Sequence, residues 1–159
     1  MYQKEIMEET AKRALFNSSH QYGGPFGAAV VKDGKIICIR TNTVLSSVDC
    51  TCHAEMNAIR QACTELETYD LSGCELYATG YPCPMCLGAI MWSNIKKVYV
   101  SGLLEDAEKI GFKDKNIYET IDKLKNSCYN IHNLELEFVD RKLAQNLYSK
   151  YEEQNGIIY

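Results

Sequence analysis

Pro84 stands between two cysteines in the run Tyr81-Pro82-Cys83-Pro84-Met85-Cys86, and no other feature of the chain narrows its local structure as far. A proline has no amide hydrogen, and its ring clashes with the carbonyl four residues earlier, so in a helix interior it costs about 3 kcal/mol or more. In the first turn that cost disappears, because the amide there has no partner within the helix anyway. The apolar residues Leu87 to Trp92 carry a helix onward, which puts Cys83 at its start. Cys86, three residues later, falls on the same face. Both thiols then lie at a helix N-terminus, where the backbone dipole favours thiolate and prepares the pair to bind a soft or borderline cation.

Two thiolates need further ligands, and the chain has only three histidines. His53 begins the run HAEMNAIR, whose stripe Met56, Ile59, Cys63 and Leu66 predicts a second helix. It supplies the third ligand. A His/Cys/Cys set with its fourth position left to water is the arrangement of a catalytic zinc, here one ion per chain. Glu55, in the first turn of the same helix, is placed to take a proton from that water and pass it to a leaving group. The rival reading is a closed structural zinc site in an interaction module. It would need Cys50 as fourth ligand, since Cys52 adjoins His53 and diverges from it, and it would give Glu55 no purpose.

Composition bounds the partners. A chain of 159 residues with 46% hydrophobic content is expected to form one domain, residues 1–159, with a full core. Its 17 basic and 21 acidic residues leave a net charge of −4, a surface that repels a phosphate backbone, so nucleic acid is not the expected partner. No basic leader with an apolar stretch opens the sequence, and the longest apolar run, LGAIMW, is too short to cross a bilayer; the expectation is a cytoplasmic protein without a membrane. Its eight cysteines are then reduced, with Cys38, Cys63, Cys74 and Cys128 serving as small buried hydrophobes.

Periodicity supplies the architecture. Ile6, Thr10, Ala14 and Leu15 mark an amphipathic first helix, and FGAAVVKDGKIICIRTN reads as a hairpin turning at Asp33-Gly34. CELYAT and KKVYVSG are strands on either side of the mostly buried Cys83–Trp92 helix; LELEFV makes a fifth strand before a last helix at DRKLAQNLYSKYEE. The predicted fold is a three-layer α/β/α sandwich on a five-stranded mixed sheet.

The pattern H-x-E followed by P-C-x-x-C is the signature of zinc nucleobase deaminases. With GGPFGAAVVKDG, HAEMNAIRQAC, PCPMCLGAI and DAEKIGFKDKNIY in that order, the chain resembles the cytidine/deoxycytidylate deaminase superfamily, and within it the bacterial guanine deaminases. The resemblance implies that Phe26 stacks on the base, Asn42 hydrogen-bonds its edge, Asp114 recognises it and handles protons, and Trp92 walls the pocket. It also implies a homodimer in which the segment from about residue 140 to 159 is exchanged, bringing Tyr159 over a partner's active site. The implied reaction is guanine to xanthine plus ammonia. Tyr81 departs from the Glu or small polar residue usual before this proline. The alternatives are another free base or nucleoside (cytosine, cytidine, an aminotriazine) and adenosine in tRNA, the last of which calls for a basic face.

Overall fold

Asp33 and Gly34 both take positive φ, 50° and 74°, and close a two-residue turn between β1 (Gly27–Lys32) and β2 (Lys35–Thr41). Only a residue pair tolerant of the left-handed region gives a turn whose twist matches the strands, which is why the Asp-Gly dipeptide was legible as a hairpin. The computed structural model describes residues 1–125, 130–131, 134–135, 139 and 141–154. The chain divides into two units, Met1–Glu119 and Thr120–Tyr159.

In the first unit, β3 (Cys74–Ala78) pairs antiparallel with β1, and β4 (Lys97–Val100) lies parallel to β3, giving the order β2-β1-β3-β4. β1 is interior to the sheet and covered on both faces, so its run Gly-Ala-Ala-Val-Val is buried without alternation. Its side chains still divide by the strand period. Ala28 and Val30 join Leu76 against the helix Ala54–Glu65 (α3, after the short α2 at Val44–Ser47), through Ala58, Ile59 and Ala62. Ala29, Val31 and Tyr77 face the other way, with Ile6 and Met7 of the first helix, α1 (Lys4–Ser19). The helix Pro84–Trp92 (α4) packs beside α3, its Ile90 in the same core. Helices thus cover both sides of a mixed sheet, in the three layers expected. Each fully buried Leu or Val of this core contributes about 1.5–3 kcal/mol.

Three expectations need correction. Among the described residues the sheet has four strands, not five: within LELEFV, Leu134–Glu135 (β6) pairs with Asn130–Ile131 (β5) as a two-stranded ladder. Alternating Leu and Glu mark one apolar strand face but not the strand's partner, and a neighbour a few residues away closes at least entropic cost. Leu15 is exposed, because the buried stripe of α1 runs Ile6, Met7, Thr10, Ala14, Asn17, and one residue beyond Ala14 is about 100° round the helix. The Cys83–Trp92 helix is apolar throughout yet buried chiefly at Cys86 and Ile90, with Met91 and Trp92 exposed. The remaining helices are α5 (Leu104–Lys109), α6 (Asp114–Lys125) and, in the second unit, α7 (Arg141–Glu153). Among the described residues no helix is long and apolar enough to cross a membrane.

Candidate functional site

His53 and Cys83 occupy equivalent positions. Each is the N-cap of its helix, α3 and α4, with nearly the same extended backbone, φ/ψ of −66°/157° and −67°/168°. Their carbonyls accept the first helical bonds, from the Asn57 and Leu87 amides at 2.9 Å, while neither side chain caps its own helix. Both side chains are therefore free to point at one another across the junction. Pro84 at the first helical position holds Cys83 outside the helix, as the sequence required.

His53 Nδ1 lies 3.5 Å from Cys83 Sγ and 3.7 Å from Cys86 Sγ. Zinc bonded tetrahedrally to one imidazole nitrogen and to thiolates spaces nitrogen and sulfur about 3.6 Å apart, given bonds of about 2.0 and 2.3 Å. Both nitrogen–sulfur distances thus match edges of a zinc tetrahedron. The three side chains form a ligand group in which all the donor atoms lie within 4.8 Å of one another. Cys50 and Cys52 are not in that group: Cys50 is exposed, and Cys52 makes a 3.4 Å contact with Asp49. The closed site of the rival reading is not formed among the described residues.

The electrostatics suit a cation. A contact between the two thiols lowers the pKa of Cys83 and raises that of Cys86, since one proton serves both sulfurs, with burial opposing ionisation at each. The Cys83 sulfur raises the pKa of His53 against a smaller opposing effect of burial. Glu55 is buried, and its Oε2 lies 3.5 Å from Cys86 Sγ. Burial pushes its pKa up, so the carboxylate binds a proton more readily than an exposed one.

A cavity of about 430 Å³ opens onto this group, and Phe26, Asn42, His53, Glu55, Phe112 and Asp114 line it. Phe26 stands edge-on to Phe112, ring centroids 4.8 Å apart, and is pinched between two glycines: a Cβ on Gly24 or Gly80 would come within 3.0 or 2.9 Å of its ring. Asn42 Oδ1 accepts from the Gly24 and Val44 amides, both at 3.2 Å. With its oxygen committed, the group Asn42 can offer a ligand is its Nδ2 donor. Burial, then the charge of Cys83, raises the pKa of Asp114.

Sequence reasoning therefore placed His53, Glu55, Cys83, Cys86, Phe26, Asn42 and Asp114 in one site, and the fold brings all seven together. Trp92 it does not. That residue is 70% exposed at the far end of α4 and absent from the cavity wall. Nine helical residues separate Cys83 from it by about 13 Å. Tyr159 lies outside the described residues. Three contributors were missed. Phe112 completes the aromatic wall, and Asn57 Nδ2 donates to the Thr41 carbonyl and Thr43 hydroxyl at 3.0 Å and to the Cys52 carbonyl at 3.3 Å, tying the segment after Asn42 to α3. Tyr118 donates to the Pro82 carbonyl at 2.5 Å. Its position four residues after Asp114, one turn along a helix, was the available signal.

A larger groove, about 710 Å³, runs outside β2, but its arginines are already engaged: Arg13 with Glu9, Arg40 with Gln61, Arg60 with Thr51. Among the described residues it holds no metal-ligand group.

Residues 1–102 match the zinc-binding region of cytidine and deoxycytidylate deaminases. Over 101 residues the chain is 52% identical to the guanine deaminase of Bacillus subtilis (strain 168), covering 64% of this chain and 65% of that protein. Over 100 residues it is 44% identical to the tRNA-specific adenosine deaminase of Aquifex aeolicus (strain VF5), covering 63% and 66%. The alignments thus span just under two thirds of these curated relatives. The X-ray structure of guanine deaminase from Bacillus subtilis superposes with a TM-score of 0.86 at 37% identity, covering 100% of this chain and 98% of that one.

Proposed function

We propose that this chain, which belongs to the cytidine and deoxycytidylate deaminase family, hydrolyses guanine to xanthine and ammonia. The observation that carries the reading is the presence of Asp114 in the same cavity as Glu55 and the His53/Cys83/Cys86 group. Guanine presents N1–H and a 2-amino group as donors beside the carbon under attack, and a carboxylate is the acceptor that edge calls for. Cytosine has an acceptor at N3 and needs no such partner. The Asn42 Nδ2 donor answers an acceptor elsewhere on the purine, and Phe26 and Phe112 offer aromatic surface to its plane.

Zinc held by His53, Cys83 and Cys86 supplies the Lewis acidity that makes water nucleophilic at neutral pH. Glu55 takes the proton that water loses as oxygen bonds to C2. It passes that proton to the neighbouring ring nitrogen N3 and then carries the proton of the added hydroxyl to the departing amine, so that the C2–N bond breaks, ammonia leaves and the C2 carbonyl forms. Its raised proton affinity suits that traffic. Asp114 holds the N1–H edge and orients C2 toward the attack.

The reading extends to a homodimer in which the C-terminal segment is exchanged. α7 exposes an apolar stripe, Leu143 and Leu147 with Tyr148 beside it, and Met91 of α4 is exposed as well. A second copy covers such surfaces. Light scattering is expected to give twice the chain mass of 18.0 kDa.

Ammonia release from guanine, cytosine, adenine, cytidine, guanosine and ammeline, assayed side by side on zinc-loaded protein, tests the substrate. Guanine is expected to give the highest kcat/KM; a tenfold preference for another of them overturns the assignment.

A further inference from the structure

Asp114 and Tyr118 lie one turn apart on α6, so they share a face of that helix. Asp114 lines the cavity, while the Tyr118 hydroxyl reaches the carbonyl of Pro82, the residue directly before the ligand Cys83. Pro82 is fully buried and lies outside α4, so its carbonyl has no helical donor; Tyr118 supplies one. The Tyr118 ring also meets the ring of Tyr81 edge-on, centroids 6.1 Å apart at 65°. Tyr81 is itself a cavity residue. Among the described residues, Tyr118 ties α6 to the metal-ligand loop through one short hydrogen bond and one ring contact.

We infer that Tyr118 is a positioning residue, whose bond to the Pro82 carbonyl fastens the first turn of α6 to the loop carrying Cys83 and thereby sets Asp114 at its distance from the reacting carbon. The inference deepens the reading that Asp114 recognises the base and rests on it. Metal ligands and base recognition belong to different elements, and a recognition carboxylate displaced by even an ångström loses most of its directional value. A clamp between the two elements fixes their spacing.

Tyr118→Phe keeps the ring and its contact with Tyr81 while deleting the donor. With zinc content and Tm verified as those of the parent, it is expected to lower kcat/KM for guanine about two- to tenfold, the scale of one neutral hydrogen bond. A residue that merely packs would do so independently of Asp114. A positioning residue acts through it, so in an Asp114→Ala background the further loss from Tyr118→Phe should shrink to within about twofold. A second readout needs no substrate. Amide hydrogen exchange over residues 112–118 of the zinc-loaded, ligand-free protein should quicken at least severalfold in Tyr118→Phe while that of β1 stays unchanged. Unchanged exchange over 112–118, or equal losses in both backgrounds, overturns the inference. If the parent enzyme fails on guanine, the substrate reading falls, the cycle is run on the base it prefers, and the exchange measurement decides the clamp by itself.

Discussion

Glu55 Oε2 lies 3.5 Å from Cys86 Sγ, and among the described residues Glu55 is the one carboxylate buried in the core. A carboxylate in that position is costly unless it has work to do, because desolvation penalises its charge. Glu55→Gln keeps shape and removes the proton carrier. Turnover is expected to fall about 10²–10⁴-fold with one zinc per chain retained and Tm at least as high as the parent's. Elemental analysis, calorimetry and a steady-state assay on one preparation check it; near-parental turnover would remove Glu55 from the mechanism.

Chelation, or Cys83→Ala, should empty the metal group and slacken the junction of α3 and α4. At a metal concentration a hundred times its Kd, binding adds about 2.7 kcal/mol, and for a chain of this length that corresponds to a Tm lower by roughly 5–10 °C in the stripped protein. Cys50→Ala should change neither metal content nor Tm. Retention of zinc by Cys83→Ala together with its loss in Cys50→Ala would contradict the ligand set.

Gly80→Ala tests the seat of Phe26. The added methyl would stand 2.9 Å from Phe26 Cδ1, closer than carbon atoms tolerate, so the ring must move. KM for guanine is expected to rise about three- to tenfold with kcat little changed, the signature of lost uniform binding. Gly88→Ala is the control: nothing lies within 4 Å of its added Cβ, and within a helix the change should raise stability by up to about 1 kcal/mol without altering KM.

Much of this site is legible in the sequence alone. Pro84 placed Cys83 at a helix start through chemistry internal to one residue, and the Asp33-Gly34 turn followed from backbone preference. What escaped the sequence depended on distant partners. Nothing local separates Leu15, which is exposed, from Ala14, which is buried, until α1 is rolled against the sheet. Trp92 follows an apolar run and yet is exposed and outside the cavity wall, because its helix buries one stripe rather than its circumference. The committed oxygen of Asn42 depends on the Gly24 amide, eighteen residues away, and the Gly80 seat on a ring fifty-four residues earlier.

Burial holds the Asp114 pKa above the usual carboxylate range. A group whose pKa is raised by folding favours the folded state while protonated; that contribution is complete below the unfolded value of about 4 and is lost as pH rises through the folded value. In the metal-free protein the charged side chain therefore costs stability at neutral pH. Metal-free Asp114→Asn should have a higher Tm than the metal-free parent at pH 7, with the difference closing as pH falls toward 4, while guanine kcat/KM of the zinc-loaded variant drops about tenfold or more. A Tm difference independent of pH would mean that the side chain is not desolvated in the folded protein.

The parts of the cavity differ in how freely they can change. His53, Cys83 and Cys86 sit on helix starts packed into the main core, where loss of a ligand costs folding as well as chemistry. Phe112, Asp114 and Tyr118 arrive later in the chain, after the last strand of the sheet, on a segment that contributes no strand to it. An enzyme built this way can inherit its reaction and acquire its substrate separately: one short stretch can diverge, and meet selection for a new base, while the water-activating machinery descends unaltered.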